Sequence, residues 1–202
     1  MQNTVSTTKG SLTGFIPYCI GKFWMWINGW KVEGAIPEGK KFILVGAPHT
    51  SNWDFAHGMA AVYIYRLKVS WLGKHTIFKR PFSGFMKWLG GIPVKRKMSH
   101  GLVDEIAKHF AQKKELIIAM SPPGTRGKTE YWKSGFYWMA LKAQVPILCA
   151  ALDYGKKRVT LGLSFMPTGN VRNDMERIRE FYRGIQGKRP ELETGIRLKE
   201  EE

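Results

Sequence analysis

The chain has 202 residues, of which 44% are hydrophobic and 24% are charged. A chain of this length and composition can bury its own core, which excludes an intrinsically disordered protein. Its 32 basic and 16 acidic side chains leave a net charge of +16, which favours anionic partners such as nucleic acid, anionic lipid headgroups or phosphorylated substrates.

The first thirty residues divide into a polar start and an apolar segment. Residues 1–10 lack the basic-then-apolar layout of a signal peptide and are predicted to be a flexible N-terminus. Residues 11–30 carry apolar side chains and tryptophans at helical spacing, interrupted by Pro17, Lys22 and Asn28. These interruptions argue against a spanning helix, so we predict a helical segment, whole or in two parts, that lies in the membrane interface. A helix buried against the domain is the alternative.

From residue 31 onward, short apolar runs alternate with longer stretches of helical periodicity. The predicted strands are 31–34, 42–45, 69–73, 92–97, 116–120, 146–152 and 158–165, and the predicted helices are 55–67, 81–89, 99–110, 132–144 and 171–185. This alternation predicts an α/β fold over residues 31–187, with a mainly parallel sheet flanked by helices. Residues 188–202 are polar and charged, and we predict a mobile tail there.

A histidine and an aspartate follow the strand predicted at 42–45. His49 lies at the carboxyl end of that strand, and Asp54 lies at the start of the next helix. Ligands usually bind at the carboxyl ends of strands in α/β folds. A histidine can act as a general base near neutral pH, and a carboxylate on its other ring nitrogen fixes the tautomer and stabilises the imidazolium. The alternative is that Asp54 or a neighbouring polar residue only caps the helix, with a structural His49.

Cations recur in the loops that follow later strands. Lys74 follows the strand at 69–73, Lys95–Lys97 ends the next strand, and Gly124–Lys128 follows the strand at 116–120. Because the carboxyl ends of parallel strands share one edge of a sheet, these loops are expected to meet the histidine loop. The cations expected at that edge are Lys74, Arg96 and Arg126. A base beside an anion site indicates a phosphate-bearing acceptor whose hydroxyl is deprotonated.

These motifs together resemble the glycerolipid acyltransferase superfamily, which includes the 1-acylglycerol-3-phosphate O-acyltransferases. The segment His49 to Asp54 looks like its His-x4-Asp motif, and Gly90 to Arg96 is similar to its second block, where an arginine contacts the acceptor phosphate. Pro123 to Arg126 resembles the Glu-Gly-Thr-Arg block, and Val145 to Ile147 resembles the Val-Pro-Ile block. The four blocks occur in order between Phe42 and Leu152.

Two positions depart from the family pattern. Pro123 stands where the family usually has glutamate, so the block that shapes the acceptor site lacks a carboxylate and a backbone donor. Lys95 stands where many relatives have aspartate, which makes the site more positive. A catalytically impaired, lipid-binding relative is therefore one alternative to an active enzyme.

The resemblance implies acyl transfer from a thioester, acyl-CoA or acyl-carrier protein, to a hydroxyl of a lysophospholipid such as lysophosphatidic acid. His49 would be the general base and Asp54 would orient it, with no acyl-enzyme. The residues implied in binding the acceptor phosphate are Lys74, Arg96, Gly124, Thr125 and Arg126. The resemblance implies no metal and no cofactor besides the acyl donor.

The expected partners are membrane lipids, the lysophospholipid acceptor and the thioester donor, while the oligomeric state stays open. Only Cys19 and Cys149 are cysteines, and neither has metal-ligand spacing, which favours a reducing compartment. We therefore expect a peripheral or monotopic protein on the cytoplasmic side of the membrane.

Two other functions fit parts of the sequence. The basic charge and the many aromatic residues are typical of nucleic-acid-binding proteins, but no recognised nucleic-acid-binding motif is found, so we expect no nucleic acid partner. His49, Asp54 and His57 could form a metal-hydrolase site, since zinc sites usually use three protein ligands. However, His57 falls among apolar neighbours and no carboxylate-rich segment accompanies it.

Overall fold

The computed structural model describes residues 13–94 and 101–202. The predicted flexible N-terminus at residues 1–10 lies outside the described residues. The cations Lys95–Lys97, which include the predicted phosphate ligand Arg96, also lie outside them.

Strands and helices alternate along the described chain. The strands are β1 (Lys31–Gly34), β2 (Lys41–Ala47), β3 (Val69–Lys74), β4 (Gly91–Val94), β5 (Leu116–Met120), β6 (Ile147–Asp153) and β7 (Arg158–Phe165). The helices are α1 (Phe15–Ile27), α2 (Trp53–Ile64), α3 (Ser83–Trp88), α4 (Leu102–Gln112), α5 (Gly135–Ala143) and α6 (Val171–Tyr182). Short 3-10 helices cover His75–Phe78, Pro190–Leu192 and Lys199–Glu201. Each predicted strand and helix therefore has a counterpart in the structure. The ends of β1, β5 and β7 coincide with the predicted ones, and other ends are shifted.

The strands form one seven-stranded sheet in the order β1-β7-β6-β2-β5-β3-β4. All neighbouring strands are parallel except β6 and β7, which confirms the predicted mainly parallel sheet. Val45 of β2 lies opposite Met120 of β5 on one side and opposite Cys149 of β6 on the other. The carboxyl ends of these three central strands therefore lie side by side, and β3 and β4 end at the same edge.

The core lies on both faces of the sheet. Ile43 and Val45 of β2 point to one face, where they join buried residues of α4, α5 and α6. Phe42 and Leu44 point to the other face, where they join Val62 of α2. A strand buried on both faces needs an uninterrupted apolar run, which explains why residues 42–45 lack a polar alternation.

Helix α1 is one continuous helix that packs on α2 along one side. Gly21 allows this close approach, since a Cβ at that position would lie 2.7 Å from the carbonyl oxygen of Ala60. Met25 is buried in the same contact. The opposite side of α1 exposes the large apolar side chains Phe15, Ile16, Ile20, Phe23, Trp26 and Ile27. Among the helices that the structure describes, none is both long and apolar enough to cross a membrane.

The segment after α6 packs against the domain, so the prediction of a mobile tail from Lys188 is wrong. Leu198 is only 1% exposed, and it forms a parallel bridge with Trp132. Arg179 of α6 binds the Glu201 carboxylate at 2.6 Å. The mobile tail is predicted from the polar composition of this segment, which gives no indication that Leu198 is buried. The same contact explains why α5 begins later than predicted, because Trp132 is engaged in the bridge.

Candidate active site

His49 and Asp54 lie together at the carboxyl end of β2. His49 follows the strand by two residues, and Asp54 lies in the first turn of α2. The His49 Nδ1 atom is 3.2 Å from the Asp54 Oδ2 atom. The aspartate side chain is 3% exposed, whereas the histidine side chain is 23% exposed. The pair thus combines a buried carboxylate with an imidazole that reaches the surface.

Asp54 also organises the loop that carries His49. Its Oδ2 atom accepts hydrogen bonds from the backbone N–H groups of Thr50 at 2.7 Å and Ser51 at 2.8 Å. Its Oδ1 atom accepts a hydrogen bond from the Tyr154 hydroxyl at 2.6 Å. Asp54 therefore binds the backbone N–H groups before α2, which is the structural role given as the alternative. The same carboxylate also contacts His49. Asn52, the residue at the helix N-cap, makes no side-chain capping bond.

The environment of Asp54 favours its ionised form. Burial alone would raise the pKa of this carboxyl, but the hydrogen bonds from His49, Tyr154 and Ser51 outweigh burial and lower the pKa below its ordinary value. In turn, burial and the bond to Asp54 raise the pKa of the Tyr154 hydroxyl. Tyr154 therefore remains a donor to a negatively charged carboxylate at neutral pH.

Tyr154 is a site residue that the sequence reasoning missed. It follows β6 directly, and β6 lies beside β2 in the sheet. Its backbone N–H donates to the carbonyl oxygen of Gln186 at 2.8 Å, which fixes the start of the loop. Its position directly after a buried strand is visible in the sequence, but tyrosine is uncharged and therefore does not belong to the pattern of charged groups at strand ends.

His57 belongs to an aromatic cluster behind the pair. Its ring stacks on Trp30 with 4.0 Å between ring centroids, and its Nδ1 atom accepts a hydrogen bond from the Trp24 indole at 3.2 Å. Burial lowers the pKa of His57, which keeps the ring neutral. Within residues 13–94 and 101–202, no three His, Cys, Asp or Glu side chains are placed to hold a metal ion. The geometry therefore does not support the metal site considered from His49, Asp54 and His57.

Two cavities adjoin the histidine loop. The larger has a volume of about 450 Å³ and is lined by Thr50, Ser51, Asn52, Trp53, Arg126, Gly127, Lys188, Arg189 and Leu192. The smaller has a volume of about 70 Å³, and its lining includes His49, Pro123, Leu192 and Glu193. Arg126 thus lines a cavity beside the loop, and Pro123 lines the cavity that contains the histidine.

The predicted phosphate ligands Gly124, Thr125 and Lys74 lie near this edge but do not line either cavity. Gly124 adopts a left-handed conformation with φ +65°, and its N–H donates to the Ser121 carbonyl at 3.0 Å. Thr125 accepts a hydrogen bond from the Gly127 N–H at 3.4 Å. Lys74 ends β3, which is separated from β2 by β5 in the sheet. Arg96 lies outside the described residues, so its placement is not part of the structure.

The comparisons with known proteins agree with these motifs. Residues 30–153 match the protein family described as Acyltransferase. No curated protein matches the sequence significantly. Among solved structures, the chain resembles the crystal structure of the 1-acyl-sn-glycerophosphate (LPA) acyltransferase, PlsC, from Thermotoga maritima, with a TM-score of 0.54 and 19% sequence identity. This match covers 81% of the chain and 73% of that protein, and it shows a shared fold. Since the family match spans more than half of the 202 residues, the chain belongs to the acyltransferase family.

Proposed function

We propose that the protein transfers a fatty acyl group from a thioester donor, acyl-CoA or acyl-carrier protein, to the hydroxyl of a lysophospholipid such as lysophosphatidic acid. The observation that carries this proposal is the 3.2 Å contact between His49 and Asp54 beside a cation-lined cavity, in a chain of the acyltransferase family. A lysophosphatidic acid acyltransferase also shares the fold, which supports this class of acceptor.

The proposed reaction uses the two nitrogens of His49 differently. The Nδ1–H group donates to the ionised Asp54, which leaves the Nε2 lone pair to accept the proton of the acceptor hydroxyl. The acceptor oxygen then attacks the thioester carbon, so that a C–O bond forms while the C–S bond breaks. The departing thiolate takes the proton from the imidazolium, which restores the neutral histidine. Asp54 stabilises the imidazolium between the uptake of the hydroxyl proton and its transfer to the thiolate.

The proposed reaction needs no acyl-enzyme. Ser51 is a hydroxyl-bearing residue of the loop, but its Oγ atom accepts a hydrogen bond from the Trp53 N–H at 3.2 Å, and its own N–H is bound to Asp54. A serine nucleophile requires a base within hydrogen-bond reach of its hydroxyl. No such bond between Ser51 and His49 is present. Direct attack by the acceptor therefore accounts for the chemistry.

Cations recognise the acceptor phosphate in this proposal. Arg126 lines the larger cavity and has no carboxylate partner among the described residues, so its guanidinium is available for a bidentate contact with phosphate. Gly124 and Thr125 shape the loop that presents it, and Lys74 adds positive charge at the same sheet edge. Arg96 remains a proposed phosphate ligand on the resemblance alone.

Helix α1 brings the site to its lipid substrate in this proposal. Six large apolar side chains project from the side of α1 that does not contact α2, and they include Phe23 and Trp26. Exposed patches of this kind mark interaction surfaces, and aromatic residues favour the membrane–water boundary. The net charge of +16 adds attraction to anionic headgroups. We therefore place the protein peripherally on the cytoplasmic leaflet.

The experiment that tests the proposal measures transfer of a radiolabelled acyl group from acyl-CoA to a panel of lysophospholipids. We expect product with the wild-type protein and a loss of at least ~100-fold with His49→Ala, the usual scale for a general base. His109→Ala is the matched control, because His109 lies on α4 and its only ion pair among the described residues is with Glu105 at 4.0 Å. Equal turnover by wild type and His49→Ala would reject the mechanism, and absence of product with every acceptor would reject the proposed reaction.

A further inference from the structure

The segment after α6 forms one wall of the larger cavity. Lys188, Arg189 and Leu192 come from this segment, and the facing wall comes from the histidine loop and from Arg126–Gly127. The family match ends at residue 153, so this wall lies outside the part of the chain that the family defines. The cavity is therefore completed by residues that no family motif assigns.

The segment is held directly against the histidine loop. The Arg189 N–H donates to the Thr50 hydroxyl at 3.1 Å, and the Thr50 N–H donates to Asp54. Gly187 makes the close approach possible, because a Cβ there would lie 3.0 Å from the Thr50 Oγ1 atom. The Gly187 N–H donates to the Glu193 carboxylate at 2.6 Å, which closes a tight turn around the two basic residues. Their backbone positions beside the cavity are thus fixed by hydrogen bonds.

The cavity concentrates positive charge that the protein does not neutralise. Arg126, Lys188 and Arg189 all line it, and in the part of the chain that the structure describes none of the three pairs with a carboxylate. The Lys188 ammonium lies 5.0 Å from the centre of the Trp53 ring, which holds it at the cavity wall. Like charges at one cavity repel one another, and a bound anion relieves that repulsion.

We propose that Lys188 and Arg189 complete, with Arg126, a subsite that binds a phosphate group of one of the substrates. This proposal rests on the proposed acyl transfer and deepens it by naming the residues that recognise substrate phosphate. The phosphate comes either from the lysophospholipid acceptor or from a phosphate-bearing donor such as CoA. Leu192 lines both cavities, so the subsite adjoins the cavity that contains His49.

The test is equilibrium binding to the full-length protein by isothermal titration calorimetry. The variant is Lys188→Ala with Arg189→Ala, which keeps the backbone bond to Thr50. The matched control is Lys108→Ala with Lys114→Ala, which removes the same charge from exposed positions in and just after α4. The three probes are lysophosphatidic acid, a monoacylglycerol with the same acyl chain, and CoA. None of the three probes is an acyl donor, so no acyl transfer occurs in the calorimeter cell. A failure of the proposed reaction therefore does not mask the binding result.

We expect the variant to bind a phosphate-bearing probe at least about tenfold more weakly than wild type, the scale of charge-assisted hydrogen bonds, while monoacylglycerol binding stays unchanged. A selective loss for lysophosphatidic acid identifies the acceptor as the source of the phosphate, and a selective loss for CoA identifies the donor. The variant Lys188→Arg with Arg189→Lys keeps both positive charges, so it should bind the phosphate-bearing probe more tightly than the double alanine variant does. Unchanged binding of both phosphate probes, equal loss for monoacylglycerol, or equal loss in the control would overturn the proposal.

Discussion

Tyr154 donates a 2.6 Å hydrogen bond to the carboxylate of Asp54 from a position 100 residues further along the chain. Tyr154 directly follows β6, and Asp54 follows β2 after one loop. The two strands are parallel neighbours in the sheet. Asp54 uses its other oxygen for His49 and for two backbone N–H groups. Tyr154 therefore acts on the histidine through the carboxylate, and we interpret it as a positioning residue.

Replacing Tyr154 by phenylalanine tests this role. We expect Tyr154→Phe to lower kcat by about 3- to 30-fold, because removing one charge-assisted hydrogen bond weakens the hold on the carboxylate. The KM values for donor and acceptor should stay near those of wild type, since Tyr154 lines neither cavity. Steady-state kinetics measure both quantities. Tyr63→Phe is the matched control, because Tyr63 lies on α2 and makes no hydrogen bond to the site. A change confined to KM would contradict a positioning role.

The same substitution should alter the acid stability of the protein. The pKa of Asp54 is lowered in the folded state, so its ionised form contributes stability that is present above about pH 4 and is lost as the pH falls through the folded-state pKa. Without the tyrosine hydroxyl, burial is opposed by fewer hydrogen bonds and the pKa of Asp54 rises. We expect Tyr154→Phe to be less stable than wild type at pH 7, and the difference to shrink only as the pH falls through the folded-state pKa values of Asp54 in the two proteins, toward about pH 2.

Urea denaturation at a series of pH values between these limits measures the difference in unfolding free energy. A difference that stays constant from pH 7 to about pH 2 would show that the hydroxyl does not act through the ionisation of Asp54.

The sheet and the contact between His49 and Asp54 could be predicted because each depends on local pattern. An apolar run at 42–45 predicts a strand buried on both faces, and strands that alternate with helices predict parallel pairing, which together place His49 at the correct edge. The same reasoning predicts that the loop at Gly124–Arg126 lies at this end of the sheet. Arg126 lines a cavity there, whereas Lys74 ends a strand two positions away from β2.

The residues near the site that the sequence did not predict are brought there by contacts between distant parts of the chain. Tyr154 becomes relevant only when β6 is known to lie beside β2, which strand periodicity does not determine. Lys188 and Arg189 sit in a polar stretch whose composition predicts a mobile tail, yet Leu198 anchors that stretch against Trp132. A single buried leucine in a charged segment gives too weak a periodic signal to predict docking.

The contact between α1 and α2 depends on a glycine. At position 21 a Cβ would lie 2.7 Å from the Ala60 backbone oxygen, so Gly21→Ala must push the two helices apart. We expect this substitution to lower the free energy of unfolding by about 1–3 kcal/mol, the usual cost of overpacking, measured by urea denaturation. The matched control is Gly58→Ala in α2, where a Cβ meets nothing within 4 Å. The control should be neutral or stabilising by about 1 kcal/mol, because alanine favours helix. Equal stabilisation by both substitutions would contradict the close packing.

The exposed side of α1 should determine membrane binding. We expect Phe23→Ser with Trp26→Ser to reduce sedimentation with vesicles containing anionic lipid, with an apparent partition coefficient at least about tenfold lower, because two large apolar groups no longer transfer out of water. Met166→Ser is the control, since Met166 is exposed but follows β7, which runs antiparallel to β6 and ends at the opposite edge of the sheet. Binding that survives the double substitution unchanged would assign membrane contact to another surface.

Docking of the C-terminal segment depends on Leu198, which is 1% exposed and pairs with Trp132. Leu198→Ala leaves a cavity at this contact, and we expect it to lower the free energy of unfolding by about 2–4 kcal/mol. The turn that carries Lys188 and Arg189 should then become susceptible to limited proteolysis by trypsin, which cleaves after basic residues, while the rest of the domain resists. Lys199→Ala, at an exposed neighbouring position, should leave both properties unchanged. If Leu198→Ala accelerates cleavage throughout the domain rather than first at this turn, the segment unfolds only together with the core and does not dock as a separate unit.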